Sequence, residues 1–124
     1  MIRYVMLALG GSLGAIARYA VASLIQTRVA AGFPWGTFVV NVSGCLVMGV
    51  ATTLLTDRLS ANAAWRYLIS IGFIGAYTTF STFEMELFRA NSEGAWLIGG
   101  AYVVASVVVG YLALWCGVVV ARLF

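Results

Sequence analysis

Apolar residues run along this chain in four stretches, each near the roughly 20 residues that a helix needs to cross the bilayer hydrocarbon. Residues 3–25 are apolar apart from Arg3, Ser12, Arg18, Tyr19 and Ser23. A polar break from Gln26 to Phe33 then ends at Pro34, the single proline. The second stretch, 35–56, opens on Trp35, suited to an interfacial anchor, and is closed by Asp57 and Arg58. After a short loop at Ser60–Ala64 comes the third stretch, 65–88, flanked by Arg66 and Arg89. A polar loop from Arg89 to Glu93 leads to the fourth, 96–121, with Arg122 at its exit. The pattern predicts an all-α integral membrane protein: one domain of four transmembrane helices with short loops and no soluble domain. The first stretch has Arg3 ahead of an apolar run but no small-residue cleavage site, so it is expected to stay as the first helix.

Composition fits that reading. Of 124 residues, 63% are hydrophobic and 9% charged, against about 25% charged in a soluble domain. The seven basic residues are all arginine and do not cluster, so the pI of about 9.2 does not point to nucleic acid. The absence of histidine removes axial His haem ligation and His-based zinc sites. Cys45 and Cys116 lie in apolar runs at no redox or metal spacing and read as packing residues.

Arginine distribution bears on orientation. With Arg18 set aside as lying inside a span, Arg3, Arg58, Arg66 and Arg122 fall on one side and Arg28 and Arg89 on the other. That bias is weak under the positive-inside rule, so such a chain can insert both ways. An antiparallel homodimer then becomes available, and four helices of this length are few to enclose a pathway alone.

The residues that break the apolar pattern carry the chemistry. Gly10 and Gly14 form a GxxxG step, which permits close helix approach. Arg18 inside a span costs about 2.5–3.5 kcal/mol on insertion scales and seeks water or a partner. Three roles are open for it: snorkelling, a tie to Glu84 or Glu86, or a positive field that draws anions into a vestibule. Asn41 deep in the second helix must be hydrogen-bonded. It either glues helices or donates its amide to an anion. The third helix holds the densest polar run, Gly72 to Glu86, with Gly75, Tyr77, Thr78, Thr79, Ser81 and Thr82 inside it. On a helix Phe80 and Phe83 share a face, and Thr79, Thr82, Glu86 and Arg89 follow a neighbouring stripe. Two phenylalanines presented edge-on offer a small anion a positive rim without a full charge, with ordinary core packing as the alternative. Gly75 and Thr78 bracket a point where the third helix is expected to unwind, tolerated at membrane depth only in protein or beside a cavity. Freed carbonyls there would suit a structural cation. In the fourth helix Tyr102, Ser106 and Gly110 recur every four residues, continuing a polar stripe.

Taken together, these residues resemble the Fluc family of bacterial fluoride channels, also called CrcB proteins, over essentially all four helices. The likeness rests on Gly10-Gly-Ser-Leu-Gly14 with Arg18-Tyr19 and on Trp35-Gly-Thr-Phe-Val-Val-Asn41-Val-Ser-Gly44. It rests above all on Gly75-Ala-Tyr-Thr-Thr-Phe80-Ser-Thr-Phe83 followed by Glu86. The resemblance implies an antiparallel, dual-topology homodimer in the bacterial cytoplasmic (inner) membrane, with two fluoride pores built from both subunits. Phe80 and Phe83 would be the paired pore phenylalanines, Asn41, Ser81 and Thr82 would supply pore hydrogen bonds, and Glu86 would stand toward a vestibule. Tyr102 and Ser106 would continue the polar track, while Gly110 departs from the family by lacking a hydroxyl. Arg18 would act structurally or electrostatically. The carbonyls of Gly75 and Thr78 would hold a structural sodium ion (Na+) at the dimer interface, and no organic cofactor is implied. The implied activity is passive fluoride efflux.

The chief alternative is a small multidrug-type proton-coupled exporter of similar length. Such exporters rely on a membrane-embedded carboxylate, usually in the first helix, and here that helix has no acid. A structural membrane subunit would explain Asn41 and the GxxxG step but not the third-helix run. No nucleophile, base and orienting group stand at a recognisable spacing, so an enzyme is not expected.

Overall fold

The computed structural model describes residues 1–29, 32–58 and 63–123, and they are helical nearly throughout. Helix α1 spans Ile2–Arg28, α2 Trp35–Thr53, α3 Ala63–Arg66, α4 Gly75–Tyr77, α5 Phe80–Ser92 and α6 Trp96–Leu123. A π-helical turn, Leu54–Arg58, prolongs α2, and a longer π-helical stretch, Tyr67–Ile74, joins α3 to α4. Among the described residues three helical runs are long and apolar enough to cross a membrane: Ile2–Arg28, Trp35–Thr56 and Trp96–Leu123, with mean hydropathies of 1.5, 1.9 and 2.4. The third predicted helix is thus realised as a succession of shorter pieces, and the first runs to Arg28 rather than residue 25. Of the loop expected at Ser60–Ala64, residues 60–62 lie outside the described residues, and Ala63 and Ala64 already belong to α3.

Local chemistry sets the helix ends. Val29 turns extended (φ −112°, ψ 147°) after Arg28, and Pro34 precedes the first residue of α2. The Gly36 N–H, one of the donors that a helix start leaves open, is accepted by Gln26 Oε1 at 3.2 Å. Gly94, at φ 79°, makes the turn from α5 to α6 that a side chain would resist.

Small residues hold the interior together. A Cβ at Gly10 or Gly14 would collide with the backbone carbonyls of Leu68 and Phe73, so the GxxxG face of α1 lies against the π-helical stretch. Across α2 and α6 the contact is reciprocal: Gly49 abuts the Leu114 carbonyl and Gly117 the Leu46 carbonyl. Large apolar side chains meanwhile point outward, as on the α6 stripe Val104, Val107, Val108, Tyr111, Leu112 and Trp115. Lipid is as apolar as leucine, so helix association there relies on close packing of small residues and on hydrogen bonds. Among the described residues the large buried side chains are few: Val40 on α2, Ile74 at the end of the π-helical stretch, and Phe83 of α5 against Tyr102 of α6.

Candidate functional site

Helical geometry stops at Tyr77 and resumes at Phe80. Thr78 (φ −78°, ψ 155°) and Thr79 (φ −148°, ψ 118°) are extended. Gly75–Tyr77, where the sequence suggested unwinding, forms a helical turn, and the extended pair follows it. Backbone groups released in this way must find other partners when buried. The Thr79 N–H donates to Asn41 Oδ1 at 2.8 Å, and Asn41 Nδ2 donates back to the Thr79 carbonyl at 3.1 Å. Thr79 Oγ1 accepts the Thr82 N–H at 3.3 Å, capping α5, and donates to Thr82 Oγ1 at 3.0 Å. Such a cap contributes about 1 kcal/mol. The carbonyl of Ile74 takes two donors from Thr78, its N–H at 3.0 Å and its hydroxyl at 3.1 Å. Gly44 lets α2 come this close, since a Cβ there would strike the Thr78 methyl. Beside it Ser43 Oγ and the Tyr77 hydroxyl are 3.0 Å apart.

One turn along α5, Glu86 is gripped from two helices. Thr37 Oγ1 of α2 donates to Oε1 at 2.7 Å, and the Tyr102 hydroxyl of α6 donates to Oε2 at 2.8 Å. These short bonds to a carboxylate are of the charge-assisted kind. Both donors are buried. Glu86 and Thr37 line an open cleft of about 540 Å³ together with Arg18, Thr82, Arg89 and Glu93. Arg18 does not form the predicted tie to Glu84 or Glu86. Its Nε donates to the Ala76 carbonyl at 3.1 Å, fastening α1 to α4 just before the extended pair.

The two phenylalanines sit in unlike surroundings. Phe83 is buried, its ring 4.8 Å from that of Tyr102 and 5.8 Å from that of Phe80. Phe80 is 74% exposed, and neighbouring Ser81 is exposed as well. A second cavity, of about 260 Å³, is lined by Asn41, Gly44, Cys45, Thr78, Thr79 and Phe80. Helix α2 thus contributes Thr37 to the cleft and, one turn on, Asn41 to the cavity. On α6 Tyr102 is buried, and a turn later the Ser106 Oγ is buried with no hydrogen-bond partner among the described residues. Gly110 faces Cys45 Sγ, and both cysteines are free.

The same hydrogen bonds give a test of the cation expected at Gly75 and Thr78. In an unbroken helix their carbonyls would receive the N–H groups of Thr79 and Thr82. Both donors are instead taken by side chains, of Asn41 and Thr79. Two neutral oxygens freed of their helical donors, one on exposed Gly75, are the ligand type a hard cation prefers. The residues fit such an ion as part of a larger ligand set.

Residues 5–118 match the profile of CrcB-like protein, Camphor Resistance (CrcB). The chain belongs to the CrcB family. It is 51% identical over 120 residues to the fluoride-specific ion channel FluC of Solibacter usitatus, which covers 97% of this chain and 98% of that protein. It is 48% identical over 118 residues to the protein of the same name from Acidobacterium capsulatum, with 95% and 94% covered. A third FluC, from Nitratidesulfovibrio vulgaris, is 40% identical over 123 residues, with 99% of each chain aligned. Like these CrcB relatives, the chain is matched over nearly its full length.

Thr37 joins this candidate site without having been singled out in the sequence, whereas Tyr77 and Thr79 stood in the polar run but without their partners. Thr37, Asn41 and Gly44 fall at i, i+4 and i+7, so one polar or small face of α2 carried the signal. Thr79 stands three residues before Thr82, the spacing of a hydroxyl cap.

Proposed function

We propose that this protein is a fluoride-selective channel that lets fluoride leave the cell passively across the bacterial cytoplasmic membrane. Its working form is an antiparallel, dual-topology homodimer of chains that each cross four times. Residues 63–92 make the third crossing, interrupted at Thr78 and Thr79. The relatives named as fluoride channels align over the whole chain and support the ion assignment.

One observation carries the mechanism: the donor-rich start of α5 leaves Phe80 and Ser81 exposed on the outside of the single chain, beside Asn41, Thr79 and Thr82. Half a pathway is present, and a second copy related by a two-fold axis supplies the other wall. The Gly75 and Thr78 carbonyls of both copies would hold a central Na+, whose charge would offset the dipoles facing it. Fluoride enters from the cleft, where Arg18 and Arg89 offer it positive charge among the carboxylates of Glu86, already engaged by Thr37 and Tyr102, and Glu93. It exchanges hydration water for neutral donors, the amide of Asn41 and the hydroxyls of Ser81, Thr82 and Ser106. It passes the rings of Phe80 and Phe83 along their positive edges. Neutral donors hold an anion weakly enough to let it go, and a narrow path excludes the larger chloride.

Purified protein in liposomes, monitored by fluoride and chloride electrodes, tests this. Rapid passive fluoride loss with negligible chloride loss is expected. Equal leakage of both ions, or dependence on a proton gradient, would overturn the reading.

A further inference from the structure

We infer that Asn41 is a positioning residue for the cation site: its amide sets how well the Gly75 and Thr78 carbonyls hold sodium, so one side chain serves the anion path and the cation site together. The inference rests on the cation part of the proposed function.

Hydrogen-bond accounting carries it. A helix running straight through would spend the Thr79 N–H on the Gly75 carbonyl and the Thr82 N–H on the Thr78 carbonyl. Asn41 Oδ1 takes the first at 2.8 Å. Its Nδ2 takes the Thr79 carbonyl at 3.1 Å, so Thr79 is held at both backbone groups and stays extended (φ −148°, ψ 118°). In that conformation the Thr79 hydroxyl reaches the Thr82 N–H at 3.3 Å, which frees the second carbonyl. One amide on α2 therefore liberates both oxygens. A primary amide has two N–H donors and only one is used on Thr79, so the other remains for the cavity that Asn41 lines with Thr79 and Phe80. Loss of an asparagine that merely glued helices would lower stability equally at every sodium concentration. A positioning residue changes the sodium dependence itself.

The test is thermal stability of the purified full-length protein in detergent, across sodium concentrations with an organic cation replacing sodium at constant ionic strength. Unsubstituted protein should be stabilised by sodium in a mass-action manner. Asn41→Leu, of similar size but without the amide, should raise the half-stabilising sodium concentration about tenfold, the scale of one lost hydrogen bond. Asn41→Asp, assayed at acid pH where a neutral carboxyl offers the same donor and acceptor, should return it to within about twofold of the unsubstituted value. Thr79→Val removes the hydroxyl that diverts the Thr82 N–H and should raise the midpoint severalfold, which keeps the test informative if Asn41→Leu does not fold. An unmoved midpoint in Asn41→Leu, or in Thr79→Val when Asn41→Leu does not fold, overturns the inference, as does no response of the unsubstituted protein to sodium. Fluoride flux in liposomes reports the channel reading separately, so the two failures are distinguishable.

Discussion

Replacing Tyr102 by Phe removes one atom from the wall of the site and leaves the rest in place. The ring keeps its contacts with Phe83 at 4.8 Å and Phe33 at 5.2 Å, and the position is 1% exposed, so no new space opens. What is lost is the hydroxyl that donates to Glu86 Oε2 at 2.8 Å. Thr37 occupies the other oxygen at 2.7 Å and cannot serve both. Hydrogen bonds to charged groups contribute about 1.5–3 kcal/mol in water-soluble proteins. Side-chain hydrogen bonds inside membrane proteins average about 0.6 and reach about 1.7 kcal/mol. The short distance and the carboxylate acceptor put this one near the upper membrane value, about 1.5 kcal/mol. The assay is a double-mutant cycle of Tyr102→Phe and Glu86→Leu, read by detergent-denaturation midpoints and slopes. A coupling of about 1–2 kcal/mol is expected, because the interaction is local and direct. A coupling below about 0.3 kcal/mol would show that the bond adds nothing and that Glu86 is held by other means.

Two further substitutions separate pathway from scaffold. Phe80→Ala removes an exposed ring and should cut fluoride flux about tenfold, the scale of one aromatic contact, while the protein still elutes as a folded species in size-exclusion chromatography; unchanged flux would take that ring out of the path. Gly14→Val should destabilise by roughly 1–3 kcal/mol or more, because its Cβ would meet the Phe73 carbonyl, whereas Gly11→Val, with open space around it, should change the unfolding midpoint little.

Much of the scaffold was legible because hydropathy and glycine spacing are local properties of the chain. The runs at Ile2–Arg28, Trp35–Thr56 and Trp96–Leu123 follow from length and composition, and the Gly10–Gly14 step announced a close backbone contact. The π-helical stretches at Leu54–Arg58 and Tyr67–Ile74 were not legible, since an extra residue per turn leaves no mark on an apolar sequence. For Arg18 the sequence offers carboxylates as candidate partners because side chains are what it displays, and the partner is a main-chain carbonyl of Ala76. The same holds for Asn41, whose partners are the N–H and C=O of Thr79. The polar run from Gly75 to Phe83 contains the extended pair Thr78 and Thr79, and the partner of that pair, Asn41, reaches across from α2.

The glycine contacts between α2 and α6 have a mechanical consequence. Gly49 against the Leu114 carbonyl and Gly117 against the Leu46 carbonyl leave no side-chain layer between the two backbones to slide or compress. Asn41 stands on one of these helices, and Tyr102 and Ser106 on the other. At these two glycines the separation of α2 and α6 is set by main chain, and parting the helices there would need the glycine contacts to open. Motion along the path is left to side chains, whose rotamer changes run on picoseconds to nanoseconds when exposed, far faster than the microseconds to milliseconds of collective helix movement. Under the proposed channel reading, an α2–α6 pair locked at these glycines moves as one body, and side-chain rotation is the motion left to it.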